Sequence, residues 1–255
     1  MIEYLEFILK NLPAFMLISL RASGIFLSAP IFGSRQVPAQ IKIIFAFTLT
    51  FILYNFIPKP ASIPTDIILY IITGMKEILV GIIFGWTSSL LFEGIILAGQ
   101  FIGLQMAFGQ ANILNPESER QIPLLSEFYF IFALLIFFSI DGHLWLITSF
   151  YKSFNTVPLG TFVFVGSITQ RILVLFAQIF LIALIIAAPI CGVLTIVDLI
   201  MGLIARTMPQ LNVLILGFAI KIYLGLFTIF LSLPLTADFV KEFFNEMLKQ
   251  IIRLI

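Results

Sequence analysis

The feature that most constrains this chain is a series of long apolar runs. The clearest extends from Ile172 to Val197, 26 residues without a charged side chain, and about 20 apolar residues in a helix suffice to cross the hydrocarbon of a bilayer. The other apolar blocks are Phe15–Ile31, Ile43–Ile57, Ile78–Phe92, Phe128–Ile140 and Leu211–Leu233. Hydrophobic residues make up 61% of the 255 residues and charged residues 11%, against about 45–50% and 25% in soluble domains. The sequence therefore predicts a protein that lies in or against a membrane.

Charged residues interrupt or closely flank these blocks. They are Arg21, Lys76, Glu77, Glu93, Glu127, Asp141, Asp198, Arg206 and Lys221. An ionised side chain at the bilayer centre costs at least about 2.5–3.5 kcal/mol, so such groups usually face protein or a water-filled cavity. Each one taken alone is equally compatible with a position at a helix end, where a long side chain reaches the headgroups. Together they predict helices that are largely enclosed by other protein.

Proline, glycine and the C-terminal pattern indicate where helices are joined. The segment from Ala29 to Pro38 separates the first two apolar helices, and Pro58, Pro60 and Pro64 form an extended connection before Asp66, because proline disfavours helix in the preceding residue. From Asp238 to Ile255 apolar and charged residues alternate with helical spacing, which predicts an amphipathic helix at an interface.

Two G-x-x-x-G pairs, Gly81 with Gly85 and Gly99 with Gly103, are candidates for close helix packing. Such pairs are also frequent by chance in membrane helices, so a subunit contact is the weaker interpretation. At the N-terminus, Glu3 and Glu6 stand where a secretory signal is basic, so we expect these residues to belong to the mature chain.

Several classes of function lack the residues they need. With 14 basic and 13 acidic residues, the chain has no basic footprint for nucleic acid. Its single cysteine, Cys191, and single histidine, His143, exclude a disulfide framework and a metal site built from these residue types alone. His143 follows Asp141-Gly142 and is typical of a turn or helix start. The sequence contains no dinucleotide, Walker, G-x-S-x-G or H-E-x-x-H motif, so we expect neither an enzyme nor a bound cofactor.

A polar stretch between two apolar helices, termed the central loop, is out of character with the rest. It consists of Gly109, Gln110, Ala111, Asn112, Ile113, Leu114, Asn115, Pro116, Glu117, Ser118, Glu119, Arg120, Gln121 and Ile122. Irregular backbone at membrane depth persists only where protein or water satisfies its amides. Two placements remain open, a surface loop and a loop folded into a pore, and physical chemistry alone favours the surface.

A second polar segment joins the last two apolar runs and is termed the elbow. It contains Arg206, Pro209, Gln210 and Asn212, with Lys221 further on. Gln210 and Asn212 stand at the start of a new apolar helix, where their amides can cap free backbone donors or hydrogen-bond across a helix interface.

Several motifs, spread over the whole chain, resemble those of the FliR family of flagellar biosynthetic proteins. The sets are Arg21-x-x-Gly24 with Pro30-Ile-Phe-Gly33-x-Arg35-x-Val-Pro38, Met106-Ala-Phe-Gly with Asn115-Pro116-x-Ser118 and Pro123, Asp141-Gly142-His143 with Ser153-Phe154 and Pro158-Leu-Gly160, and Ala205-Arg206-x-x-Pro209-Gln-Leu-Asn-Val213 with Gly217 and Lys221. The last set is the most specific. The sequence departs from the usual family pattern at Asn115, Glu119-Arg120 and Ala219. The first two departures lie in the central loop and affect how tightly it packs.

The resemblance implies an all-α, non-enzymatic subunit of the type III export gate in the bacterial inner membrane, at the flagellar basal body. It implies partnership with FliP-like, FliQ-like and FlhB-like subunits and export of unfolded flagellar proteins. Residues 1–165 correspond to a FliP-like part and residues 166–237 to a FliQ-like hairpin, followed by the amphipathic helix 238–255. On this basis we expect the central loop to plug the pore, reversing the preference for the surface. Met106 and Phe108 are then expected near the constriction, and the elbow residues at a subunit interface.

Two rival functions remain at this point. The equivalent subunit of a virulence-associated secretion system shares the architecture implied by the resemblance. A stand-alone small-molecule transporter would show an inverted repeat and a polar site at mid-membrane, and no convincing repeat is present in the sequence.

Overall fold

The architecture is entirely helical over the part of the chain that the structure describes. The computed structural model describes residues 2–30, 33, 37–58, 64, 66–107, 124–162, 166–208, 210 and 212–254. Within these residues the chain forms seven α-helices and no strand, which confirms the predicted all-α class. The helices are α1 (Ile2–Ser28), α2 (Ala39–Leu53), α3 (Ile67–Gln105), α4 (Leu124–Ser139), α5 (Gly142–Thr156), α6 (Gly166–Thr207) and α7 (Val213–Leu254).

Local signals in the sequence set most helix boundaries. Helix α1 ends at Ser28, before Ala29-Pro30, and α2 begins directly after Pro38. The Oδ1 atom of Asp66 accepts a hydrogen bond from the Ile68 backbone N–H at 3.0 Å, so Asp66 caps one of the free donors at the start of α3. These boundaries confirm the predicted joint between the first two helices and the start of a helix after Asp66, whereas residues 59–63 of the predicted extended connection, including Pro60, lie outside the described residues.

The connection between α4 and α5 is short and sharp. Asp141 has a φ of 56°, in the left-handed region that ends a helix, and α5 begins at Gly142. His143 is therefore a helix-start residue, as its sequence position predicts.

Helix α3 is longer than the apolar block that predicted it. The block Ile78–Phe92 lies inside a helix of 39 residues that also contains Lys76, Glu77 and Glu93. Lysine and glutamate are good helix formers, so a charge that interrupts the apolar pattern leaves the backbone hydrogen bonding intact. Charge placement was therefore a poor guide to helix ends here.

The last two helices are both long and both contain an internal proline, Pro189 in α6 and Pro234 in α7. The amphipathic segment that begins at Asp238 is the C-terminal part of α7 and not a helix of its own. No breaker stands between Pro234 and Asp238, so the helix continues through the change from apolar to mixed composition.

Among the residues that the structure describes, length and composition allow four helical segments to cross a membrane. They are Asn11–Ser28, Ile67–Gln105, Leu173–Thr207 and Ile215–Met247, and the bent pair α4–α5 would be a fifth if it acts as one span. This number of apolar helices supports a membrane location.

The chain divides into two compact units. The first comprises Met1–Leu90, Gly142–Val174 and Glu246–Ile255, and the second comprises Leu91–Asp141 and Leu175–Asn245.

In the first unit α1 and α3 pack closely through glycines. A Cβ added at Gly24 would lie 2.5 Å from the Ile78 carbonyl oxygen and 3.0 Å from Cα of Gly81, and a Cβ at Gly81 would overlap the Arg21 carbonyl oxygen. A Cβ at Gly85 would meet the Ser28 hydroxyl. The Gly81–Gly85 pair therefore serves packing within the chain, as small residues do in membrane helices.

In the second unit an aromatic cluster joins α3, α4 and α7. The ring of Phe92 lies 5.5 Å from that of Phe137 and 5.3 Å from that of Phe244, and Phe137 and Phe244 are 5.7 Å apart. All three side chains are buried. Gly99 allows the Leu125–Ser126 backbone of α4 to approach, since an added Cβ would lie 2.7 Å from the Leu125 carbonyl oxygen.

Candidate functional site

The predicted site residues divide between described and undescribed positions. Phe108, the central loop Gly109–Ile122 and Pro209 lie outside the described residues. Met106, Arg206, Gln210, Asn212 and Lys221 are described. The candidate site is therefore built from the residues where the central loop leaves helix α3 and from the elbow.

The C-terminal end of α3 is well defined. The Met106 N–H donates to the Ile102 carbonyl at 2.9 Å, and the Ala107 N–H donates to the Leu104 carbonyl at 3.0 Å. Ala107 has a φ of 63°, a left-handed conformation that is unusual for alanine and typical of the residue that ends a helix. Ala107 therefore ends α3 three residues after Leu104.

Met106 is completely buried against a glycine of α7. Its side chain is 0% exposed, and a Cβ added at Gly225 would lie 2.6 Å from its Cε and 2.7 Å from its Sδ. An alanine at this position would therefore force the Met106 thioether to shift. Met106 thus lies in a seat formed by Gly225, which sequence analysis did not single out.

A polar cluster lies directly beside this seat. The Gln105 side-chain amide donates to Oδ2 of Asp198 at 3.2 Å and contacts Oγ1 of Thr195 at 3.5 Å. The Lys221 ammonium forms an ion pair with Oδ1 of Asp198, and the Lys221 side chain is only 19% exposed. Three helices, α3, α6 and α7, therefore meet through Gln105, Asp198 and Lys221.

The charges of this cluster lie in apolar helical segments, which favours their pairing. Asp198 and Lys221 both lie within helical segments that are apolar enough to span a membrane. Charged side chains in such segments are stabilised by pairing with one another, and the Gln105 amide occupies a further acceptor site on the carboxylate. The sequence marked Asp198 and Lys221 as charges within apolar blocks, but it did not identify their pairing.

The elbow lies between the end of α6 at Thr207 and the start of α7 at Val213. Arg206, Gln210 and Asn212 are exposed. The Oδ1 atom of Asn212 accepts a long hydrogen bond, 3.4 Å, from the Ile215 N–H, which is the capping contact, one of the two roles that its position in the sequence allows. Lys221 lies about two turns into α7, and its ammonium pairs with Asp198.

A second buried polar cluster, in the first unit, connects α1, α3 and the turn after α5. Arg21 Nε donates to Glu77 Oε2 at 2.6 Å, and Nη1 and Nη2 each donate to the Val157 carbonyl at 3.0 Å. The Glu77 Oε1 atom accepts the Gly160 N–H at 2.7 Å. The guanidinium carbon also lies 4.2 Å from the centre of the Phe154 ring.

This cluster brings together residues from two of the motifs that carry the family resemblance. Arg21 belongs to the N-terminal motif, and Phe154 and Gly160 belong to the joint after His143. Gly160 has a φ of 80°, so glycine is required to present its N–H to the carboxylate. The arrangement is structural, because its donors and acceptors are used within the chain.

Among the described residues, no group of three histidine, cysteine, aspartate or glutamate side chains is placed to hold a metal ion.

Comparison with known proteins identifies the family. The family model described as "Bacterial export proteins, family 1" matches residues 12–247. The flagellar biosynthetic protein FliR of Bacillus subtilis (strain 168) is 34% identical over 245 residues, covering 93% of each chain. The chain belongs to the FliR family of bacterial export proteins.

Further FliR proteins match along most of their length. That of Escherichia coli (strain K12) is 31% identical and covers 89% of this chain and 87% of its own, and that of Aquifex aeolicus (strain VF5) is 29% identical and covers 86% and 85%. The match of the FliR family model includes both ends of the central loop, the polar cluster and the elbow.

Proposed function

We propose that this FliR-family chain is a non-enzymatic subunit of the flagellar protein export gate. In this role it lies in the bacterial inner membrane at the basal body and contributes to the channel through which unfolded flagellar proteins are exported. Membership of the export family along almost the whole chain supports this role. The flagellar names of its relatives favour a flagellar system over a virulence system.

The surface of α7 supports the proposed association with other gate subunits. Its apolar side chains are largely exposed, with Tyr223 at 72%, Phe230 at 70% and Leu235 at 75%. Only 17% of an 18-residue apolar stretch within Ile215–Met247 is buried inside the chain. We assign FliP-like and FliQ-like subunits as neighbours, with an FlhB-like subunit at the cytoplasmic entrance, and the exposed elbow residues Arg206, Pro209, Gln210 and Asn212 to the contact with FliQ-like subunits.

The central loop, Gly109–Ile122, is proposed to be the plug that closes the channel before substrate arrives, with Met106 and Phe108 near the constriction. One structural observation supports this proposal. The loop begins three residues after Met106, and α6 and α7 hold Gln105 and Met106 by a charged cluster and a buried seat. A loop that starts from a fixed point can occupy a defined place in a channel, and its amides are then satisfied by the channel wall.

Deletion of Gly109–Ile122 tests the plug. The expected result is a normally assembled complex that leaks ions, measured as membrane conductance or as loss of potential in cells that express the gate. A second variant, in which a glycine-serine linker of the same length replaces the loop, separates the chemistry of the plug from chain length. Unchanged conductance in a deletion variant that assembles correctly contradicts the plug role.

A further inference from the structure

We propose that Gln105, Asp198, Lys221 and Gly225 are positioning residues that fix the end of α3 on the α6–α7 hairpin. This inference rests on the proposed function, because the central loop starts from that end. It adds a specific claim, namely that the place where the loop begins is set by one ion pair and one glycine and not by the loop's own residues.

The first argument is the connectivity of the charged cluster. Asp198 is the shared acceptor: it binds the Lys221 ammonium through Oδ1 and the Gln105 amide through Oδ2. Thr195 Oγ1 donates to the Cys191 carbonyl at 2.7 Å and still has a lone pair for the Gln105 amide. Removing the Asp198 charge therefore removes the charged partner of Gln105, at the end of α3. It also leaves the Lys221 ammonium without a counter-charge in an apolar segment.

The second argument is steric and independent of charge. Met106 follows Gln105 directly and lies fully buried against Gly225. Gly225 is one helical turn after Lys221 on the same face of α7. A methyl group at position 225 would displace the Met106 thioether or the end of α3 itself. Two unrelated interactions thus hold Gln105, the last residue of α3, and the adjacent Met106 against adjacent turns of α7.

The rate of Met106 oxidation reports directly on whether the Met106 side chain stays buried. Peroxide oxidises exposed thioethers, and accessibility governs the rate at a given methionine. Met106 is 0% exposed, whereas Met208 is 57% exposed and serves as an internal standard. The full chain is treated with hydrogen peroxide in isolated membranes and then purified, and sulfoxide formation at each methionine is followed by mass spectrometry.

We expect Asp198→Asn and Gly225→Ala each to raise the oxidation rate of Met106 by about tenfold relative to Met208, since each loosens one local contact. Gln105→Leu is the milder variant should Asp198→Asn fail to accumulate. The charge exchange Asp198→Lys with Lys221→Asp is expected to restore protection, because the Gln105 side chain can present its carbonyl oxygen to a lysine.

The chain offers matched controls for both changes. A Cβ at Gly217, also on α7, would meet only Cε of Met201 at 3.6 Å, an ordinary contact. The Asp238 side chain is 81% exposed and pairs loosely with Lys241 at 3.8 Å. Gly217→Ala and Asp238→Asn should leave Met106 protected.

Unchanged Met106 oxidation in both Asp198→Asn and Gly225→Ala overturns the positioning role, and so does a charge exchange that fails to restore protection. Failure of the plug is distinguishable, since it appears as unchanged conductance on loop deletion. If the loop deletion has no effect on conductance while Asp198→Asn exposes Met106, the positioning role stands and the plug does not.

Discussion

Arg21 and Glu77 form an ion pair of 2.6 Å across 56 residues of sequence, and neither side chain is exposed. The guanidinium also donates to the Val157 carbonyl, and the carboxylate accepts the Gly160 N–H. One pair of charges therefore fixes the positions of α1, α3 and the turn after α5 relative to each other. A buried pair of this kind is worth little against an apolar replacement, but loss of one partner strands the other charge.

Replacement of Arg21 by methionine is expected to destabilise the chain by about 3–5 kcal/mol, because Glu77 would be left charged and buried. Thermal unfolding of the purified full-length chain in detergent measures the effect. The double variant Arg21→Met with Glu77→Met should be more stable than the single variant Arg21→Met. If the double variant is the less stable of the two, the pair does not act as proposed.

Close packing of α1 on α3 predicts a large effect of a single methyl group. Gly81→Ala should lower the unfolding temperature, since the new Cβ would overlap the Arg21 carbonyl oxygen, which cannot move without shifting α1. Gly192→Ala is the matched control within α6, where nothing lies within 4 Å of the added Cβ. There alanine is expected to stabilise the helix by up to about 1 kcal/mol. Equal unfolding temperatures for the two variants would contradict the packing argument.

Loss of the elbow amides is expected to impair assembly with a FliQ-like subunit and not folding of the chain. Gln210 and Asn212 are exposed, so replacing both by leucine should reduce co-purification of a FliQ-like subunit while the chain still accumulates in the membrane. Since Asn212 also caps α7, a role worth about 1 kcal/mol, Asn212→Asp serves as a control that keeps the cap. Recovery of an intact complex from the double leucine variant would refute the interface role.

The aromatic cluster of the second unit predicts a cavity effect. Phe244→Ala should destabilise the chain by about 3–5 kcal/mol, because the ring is buried and contacts both Phe92 and Phe137. Phe230→Ala is the comparison on the same helix, since that side chain is 70% exposed. A similar loss in both variants, measured by thermal unfolding in detergent, would show that burial of the cluster is not the cause.

Much of the helical framework was predictable because its signals are local. Pro38 and Asp66 mark helix starts through their own backbone and side-chain chemistry, and Asp141-Gly142 marks a sharp joint. The capping role of Asn212 follows from its place at the head of an apolar run. The family motifs likewise lie in contiguous stretches, so the sequence itself carries the resemblance that the comparisons support.

Other features could not be inferred from local patterns. The length of α3 was underestimated because charges within a helix resemble charges at its ends when only hydropathy is considered. The sequence groups Lys221 with the elbow, and it does not reveal that the Lys221 ammonium pairs with Asp198 on the preceding helix. Gln105 and Gly225 carried no recognisable motif, since an isolated amide and an isolated glycine occur throughout membrane helices.

The sequence alone determined that this protein is helical, apolar and divided at particular prolines, glycines and capping residues, because those properties depend on neighbours a few positions away. Only the tertiary structure decided that Arg21 pairs with Glu77 and that Asp198 holds both Gln105 and Lys221. The physical reason is that buried charges must find partners wherever the packed helices bring them, and helix packing depends on side chains that are distant in sequence.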